Sequence, residues 1–408
     1  MIEAGDPGSR QPTPRHPTKQ ASSGPQRSRR RGDPGNPRFG AVGDKTPPAV
    51  DDICPQRWAE IDLGAIRYNV GELRGRLPAG CRLMAVVKAD GYGHGARQVA
   101  RAALDAGAWG LGVSTPEEAL ELWDLCEPER LLVLGGLAPS RCAAAAAAGC
   151  AVMCYSEEMV ETLESAVRPG ARFPVHLKLD TGMGRLGCAP EAAPALARRI
   201  ARSSRLRLAG TMTHFASSET DREFTCLQFE RFREALDRFP VDPGIRHVSN
   251  SAAVLRHPEM ALDAVRPGLA VYGSVGDGLR PALALRAMVT RVQDIMPGQS
   301  VGYGRTWVAD RLARIATVAI GYEDGVMRSR SNRGEVAIRG RRAALVGRVG
   351  MDAITVDVTE LPDVEPGEVV TLIGDGISAD DVAEWSCTIS HEVLTSLGNR
   401  VARTYLEE

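Results

Sequence analysis

From Cys81 to about residue 268 the chain alternates short, unbroken apolar runs with longer stretches rich in Ala, Arg, Glu and Leu. The runs are RLMAVVK, WGLGV, LLVLGG, AVMCY, PVHLKLD, LRLAGTMTHFA, IRHVSNS and LDAVRPG. Continuous rather than alternating apolar character marks strands covered on both faces, as in a parallel sheet, and the stretches between them are long enough for crossover helices. Eight such units predict a (β/α)8 barrel. After about residue 285 the pattern changes to LARIATVAI, GEVAIRG, AALVGRV, AITVDV and GEVVTLIG, separated by Gly, Pro and Asp turns, with DDVAEW and HEVLTSLG as short helices. These predict a smaller β domain. The expected fold is thus α/β, a (β/α)8 TIM barrel over 56–284 followed by a β-rich C-terminal domain over 285–408.

Residues 1–55 are rich in Pro, Gly, Ser and Arg and nearly free of large apolar side chains, so they cannot bury enough surface to offset the entropy of ordering. We expect a disordered tail there. Its basic cluster, Arg29 to Arg31, lacks the apolar centre of a signal peptide and reads as a solvated arm, a weak anion contact, or a start codon placed too early. Composition narrows the function. Of 408 residues, 43% are hydrophobic and 25% charged, and the net charge is −1, a balance that gives nucleic acid no basic face to bind. No run of apolar residues is long enough to span a bilayer. The nine cysteines are odd in number and lack CxxC pairing or zinc-type spacing, as expected of reduced thiols in a cytoplasmic protein with no structural metal. The expected partner is a small molecule.

The residues able to do chemistry fall at the ends of the apolar runs: Lys88 after AVV, Asp180 and Arg185 after HLKL, His214 after TMT, Asn250 and Ser251 after HV, and Arg266 after DAV. In parallel barrels the strand C-termini carry the active site. Lys88 closes a buried strand and precedes a glycine-dense turn, ADGYGHGA. Burial disfavours the ammonium, which is what an imine-forming lysine requires, although a strand-end lysine reaching solvent would have the same sequence. Gly91, Gly93 and Gly95 would let backbone approach an anion, a weakly specific signal.

The motifs AVVKADGYGHGA, LDTGMGRLG, MTHFASSE, SNSAA, VRPGLAVYG, VGYGRTW, GYEDG and RVGMD occur in the order and spacing of alanine racemases, from WAEIDL at Trp58 to RVARTYL. The chain resembles that family. The resemblance implies a racemase that interconverts L-alanine and D-alanine by two-base proton transfer at Cα, with pyridoxal 5'-phosphate as cofactor. It also implies a homodimer whose active sites are shared between subunits. By position, Lys88 resembles the lysine that carries the cofactor and serves as base on the D face. Tyr303, in VGYGRTW, resembles the opposed base, supplied by the second subunit. A phenol with a reference pKa of about 10 needs a nearby cation to serve as a base. Arg266 resembles the donor to the pyridine nitrogen, and His214 the histidine that orients it. A guanidinium keeps its proton, which weakens the electron sink relative to a carboxylate partner and favours reprotonation over transamination.

Arg185 resembles the arginine that contacts the substrate carboxylate and the cofactor's phenolic oxygen, a task suited to its planar fork. Met351 and Asp352, with Tyr322, resemble the substrate-entrance residues from the second chain. Tyr92, Asn250, Ser251 and the backbone of Gly268 and Leu269 are the expected cofactor and phosphate contacts. Lys178 matches a lysine that is carbamylated in some relatives, and both that state and an ordinary ion pair remain open. Two positions depart from the family pattern. His391 replaces a phosphate-binding tyrosine, and GYEDG replaces GYADG, adding Glu323 beside Tyr322. They leave open a preference for serine or for a longer or basic side chain. A decarboxylase on a related barrel would be expected to place a carboxylate at Arg266, and a non-catalytic cofactor carrier would need neither Tyr303 nor Met351.

Overall fold

The apolar runs fold into strands whose two faces are both covered. The computed structural model describes residues 55–407, so the expectation for the tail, Pro55 aside, lies outside the described residues. Eight strands form a closed parallel barrel in chain order: β2 (Arg82–Val86), β3 (Gly110–Val113), β4 (Leu131–Val133), β5 (Ala151–Cys154), β6 (Phe173–Lys178), β7 (Leu206–Met212), β8 (Ile245–His247) and β9 (Ala264–Val265). The barrel closes where Arg82 and Leu83 pair with Ala264 and Val265. β3 to β6 are buried at every residue, the structural counterpart of their unbroken apolar sequence. Alternate side chains divide between two regions. Leu83, Ala85, Val133 and Val152 join the main core beneath the helices, while Met84, Leu132, Ala151, Met153 and Met212 form a separate cluster that fills the barrel.

Several crossover helices begin at residues that satisfy their free N–H groups. Thr115 and Glu118 form a capping box for Pro116–Glu121, Ser156 caps Glu157–Ala166, and Asp221 caps Arg222–Asp237.

The C-terminal part is a β sheet built around a long strand, β10 (Leu283–Ile295). β10 pairs with β13 (Ala313–Val318) and with β17 (Val369–Ile373), and β13 pairs with β16 (Ile354–Asp357). β17 continues to β14 (Glu335–Ile338) and then β15 (Arg341–Ala344). AALVGRV, expected as a strand, keeps regular pairing only through Ala344 and a single bridge from Leu345 to Val356 before turning at Gly347, whose φ is +77°. A short hairpin, β11 (Ser300–Val301) with β12 (Trp307–Val308), carries Tyr303 at its turn.

One strand departs from the expected partition of the chain. β1 (Arg57–Asp62), inside the stretch assigned to the barrel, is a strand of the C-terminal sheet, antiparallel to β10 and parallel to β18 (Ala402–Leu406). Its burial alternates over its last four residues, the signature of a strand with one covered face, whereas the barrel strands are buried more continuously. Among the described residues no helix is long and apolar enough to cross a membrane.

Candidate active site

Every chemistry-bearing residue that the sequence placed at a strand end lies at the C-terminal mouth of the barrel. A cavity of about 210 Å3 there is lined by Lys88, Tyr92, Lys178, Arg185, His214, Asn250, Ser251, Arg266, Gly268, Leu269 and His391. A larger hollow of about 740 Å3 opens beside Glu60, Asp277 and Asp375, but its lining includes no lysine, arginine or histidine. The smaller cavity holds the chemistry.

Lys88 follows β2 at the head of an unusual turn. Ala89, Asp90, Gly91 and Tyr92 all adopt positive φ, between 52° and 60°. Non-glycine residues pay about 1–2 kcal/mol each for that conformation, so other contacts must hold it. Glu118 Oε1 accepts from the Ala89 N–H at 2.9 Å, and its Oε2 from the Ser114 N–H at 2.6 Å. Asp90 Oδ1 accepts from the Ala96 N–H at 2.9 Å. The turn brings the Tyr92 hydroxyl against Gly268, where an added Cβ would lie 2.4 Å from it. A side chain at 268 would have to displace that hydroxyl. Desolvation inside the cavity, and then the Arg185 guanidinium, lower the pKa of Lys88 below the ordinary lysine value, with Glu118 acting the other way.

Arg185 is presented by the loop after β6. Asp180 organises that loop by accepting from the N–H groups of Gly182, Met183, Gly184 and Arg185, at 2.8 to 3.1 Å. Burial opposes ionisation of Asp180, but these four donors win and hold its carboxyl below the usual range. Lys178, at the end of β6, is 3% exposed. Desolvation, Arg266 and Arg185 push its pKa down to about 8, against the pull of Asp180.

Arg266 is fully enclosed, and burial lowers its pKa to about 9. Its Nη1 donates to the His247 carbonyl and to His247 Nδ1, both at 2.7 Å, while Nη2 donates to the Thr213 carbonyl at 2.7 Å and the Val248 carbonyl at 3.2 Å. His214 Nδ1 lies at 3.3 Å from Nη2, so the closer imidazole is His247, which the sequence reading did not single out. With both Nη atoms engaged, Nε is the guanidinium N–H left for the cavity. Desolvation first, then Arg266, Lys178 and Arg185, push His214 well below its ordinary pKa, so it is neutral.

At the other end of the cavity, Ser251 Oγ accepts from the N–H groups of Gly268, at 2.9 Å, and Ala270, at 3.2 Å. With its lone pairs taken by these amides, the Ser251 hydroxyl is left to donate into the cavity, beside the backbone of Gly268 and Leu269. The Tyr92 ring stands beside it, packed at a tilt of 36° on Tyr272 with centroids 4.8 Å apart, and 5.9 Å from the His391 ring. Asn250 caps the following helix and accepts from Ser218 Oγ at 2.9 Å. Glu219, not foreseen, is the only acidic residue in the lining among the described residues. Two lysines and two arginines against it make the cavity suited to an anion.

Four expected site residues lie elsewhere, in turns of the C-terminal part of the chain. Tyr303 is 72% exposed, Met351 50% and Tyr322 40%. Tyr322 N–H donates to the Gly350 carbonyl at 2.9 Å and Glu323 N–H to the Met351 carbonyl at 3.2 Å, so the GYEDG and RVGMD turns form one group. Asp324 anchors it, accepting from Arg57 at 2.9 Å and from Arg400 at 3.0 Å, while Arg400 also holds Asp352 at 2.7 Å. The Tyr303 turn packs beside Arg348, three residues before Met351.

A closed parallel barrel with an amine of lowered pKa, a buried guanidinium and the Ser251 hydroxyl in one C-terminal cavity defines a barrel enzyme whose site suits a small molecule carrying an anionic group. Family models for the alanine racemase N-terminal and C-terminal domains match residues 61–275 and 282–405, and the chain belongs to the alanine racemase family. It is 41% identical to the alanine racemase of Symbiobacterium thermophilum, covering 87% of this chain and 98% of that one. It is 38% identical to the alanine racemase of Halothermothrix orenii, covering 86% and 97%. Among solved structures, the alanine racemase of D-cycloserine-producing Streptomyces lavendulae superposes with a TM-score of 0.83 at 37% identity, covering 88% and 98%. That of Bartonella henselae, described with covalently bound pyridoxal phosphate, superposes with a TM-score of 0.79 at 30% identity, covering 86% and 100%.

Proposed function

We propose that this protein interconverts L-alanine and D-alanine, using pyridoxal 5'-phosphate held in the barrel cavity and a second copy of the chain to complete each site. The observation that carries this reading is the convergence in one cavity of Lys88, the Arg266 guanidinium and the Ser251 hydroxyl with Tyr92. The residues fit the cofactor at both ends. A lysine whose ammonium is disfavoured can bond an aldehyde carbon, and Gly268, Leu269, Ser251 and Tyr92 can receive a phosphate, with His391 at hand. Arg266 Nε can donate to a ring nitrogen without giving up its proton. Covalently bound pyridoxal phosphate in the Bartonella henselae relative supports the same assignment.

When bound, the cofactor supplies an electron sink that makes the proton on the substrate α-carbon removable. Lys88 takes or returns that proton on one face. Tyr303 does so on the other, and Arg185 holds the substrate carboxylate. Tyr303 is exposed and absent from the cavity lining, which supports its delivery by a second subunit together with Tyr322, Met351 and Asp352.

The test is direct. Purified protein should be yellow, borohydride should fix the cofactor to the peptide containing Lys88, and incubation with L-alanine should yield D-alanine by chiral chromatography. Attachment at another lysine would reject the Lys88 assignment. Faster turnover of serine or a basic amino acid would move the substrate assignment.

A further inference from the structure

Two buried histidines that touch neither cavity nor solvent lie in line behind Arg266. His247 Nδ1 is 2.7 Å from Arg266 Nη1, and His247 Nε2 is 2.7 Å from His176 Nδ1. Both rings are enclosed, His247 at 0% and His176 at 1% exposure. His176 belongs to β6 and His247 to β8, strands separated by β7, so side chains between them would ordinarily keep the rings apart. The residue of β7 paired with His176 is Gly210. A Cβ there would come within 2.5 Å of His176 Nδ1. The glycine opens the gap through which the imidazoles meet, edge to face at 4.9 Å.

Hydrogen-bond chemistry permits one arrangement of protons. A guanidinium only donates, so His247 Nδ1 must be bare and accept from Arg266. The His247 proton then sits on Nε2, and His176 Nδ1 must be bare to accept it. The reverse tautomer of His247 would set an N–H against the Arg266 N–H. A doubly protonated His247 would do the same. Burial, and then the Arg266 charge, hold His176 down to about 3 and His247 well below the ordinary imidazole range, so both rings are neutral.

We propose that His176 is a positioning residue that locks the tautomer of His247, and through it fixes the orientation of the Arg266 guanidinium facing the cofactor ring. The link to the cofactor rests on the reading of the cavity given above. The tautomer lock itself does not, because it is set by protein groups alone. Without an acceptor at His176, the Nε2 proton of His247 loses its buried partner. The unpaired N–H then competes with the Arg266 contact: the proton can move to Nδ1 only where the guanidinium turns away, so any population of that tautomer marks a lost restraint on Arg266. The guanidinium should wander, and the electron sink should become less uniform.

The chain has seven histidines in all, few enough for their ring nitrogens to be resolved by selective 15N labelling. In the wild-type protein, with and without pyridoxal phosphate, His176 and His247 should both show the neutral form protonated on Nε2. In His176→Leu, the His247 signals should move toward a mixture of tautomers, and the absorption band of the bound cofactor should broaden or shift. His176→Asn places a carbonyl oxygen near the position of Nδ1 and should restore both readouts toward wild type.

A wild-type His247 protonated on Nδ1, or on both nitrogens, overturns the lock whether or not any variant folds or binds cofactor. So does an Asn variant indistinguishable from Leu, because the acceptor would then be irrelevant. An unmoved cofactor band in the Leu variant, with His247 redistributed, overturns the link to Arg266 alone. Failure to bind pyridoxal phosphate would instead overturn the function proposed above and leave the tautomer result standing.

Discussion

His391 occupies a place where its charge can respond to what the cavity holds. The other imidazole in the lining, His214, is held well below its ordinary pKa by burial and by Arg266, so it stays neutral. His391 is lowered more mildly, first by burial and then by Lys88, with Glu219 pulling upward. If His391 contacts the phosphate, binding changes this balance, because the phosphate dianion favours the imidazolium. The bound-state pKa is then above the free-protein value, and binding takes up a proton in the window between them. Cofactor affinity should be full below the free-protein pKa and should decline as pH rises through the bound-state pKa. His391→Tyr supplies a neutral donor and should flatten that decline. Dissociation constants measured from about pH 6 to 9 on both proteins decide the matter, since parallel curves would mean His391 does not touch the phosphate. His391 was legible in the sequence as a departure from the family pattern, whereas Glu219, which shapes its titration, was not. An acidic residue in a polar loop carries no mark of the cavity it faces.

The element that presents Lys88 is a turn held by a neighbouring helix. Its run of positive φ angles persists because Glu118, from the helix after β3, accepts from the Ala89 and Ser114 N–H groups with separate oxygens. Glu118→Ala leaves both donors without their acceptor and should cost about 1–3 kcal/mol in chemical denaturation. Glu118→Gln keeps one carbonyl acceptor and should cost less. The carboxylate also raises the Lys88 pKa, so either change should lower it further and shift the pH profile of cofactor attachment toward acid. An unshifted profile in Glu118→Gln, with stability retained, would limit Glu118 to holding the turn. At this scale the sequence was most readable where pattern and burial coincide. The eight barrel strands coincide with the apolar runs, β6 alone starting one residue earlier at Phe173, because a strand covered on both faces is mostly apolar. β1 was harder, since nothing in WAEIDL specifies whether its partner is the next strand or one more than 200 residues away. Glu118, His176 and His247 serve other protein groups, and their importance emerges only once the strands are placed side by side.

At the scale of the whole molecule, the expected site residues separate into two groups that one chain does not bring together. The barrel cavity holds Lys88, Arg185 and Arg266, while Tyr303, Tyr322, Met351 and Asp352 stand exposed on turns of the C-terminal part. Exposed Met296, Val308 and Leu312 lie on the same β-rich part of the chain, apolar surface that a partner would cover. An isologous pairing of two copies would bring each cavity the other's Tyr303, with the two sites equivalent by symmetry. This arrangement can be tested without resolving the interface. Lys88→Ala and Tyr303→Phe proteins should each lose activity by about 10²- to 10⁴-fold or more, as expected for proton-transfer groups. In a hybrid of the two, one site inherits both lesions and the other inherits neither. Random re-pairing of equal amounts makes about half of the dimers hybrid, each with one intact site, so the mixture should recover about one quarter of wild-type activity. Recovery should track subunit exchange, followed by mass spectrometry of differently tagged chains. If exchange is complete and activity stays at the level of the separate variants, Tyr303 does not act across subunits, and the second base must be sought on the chain that carries Lys88.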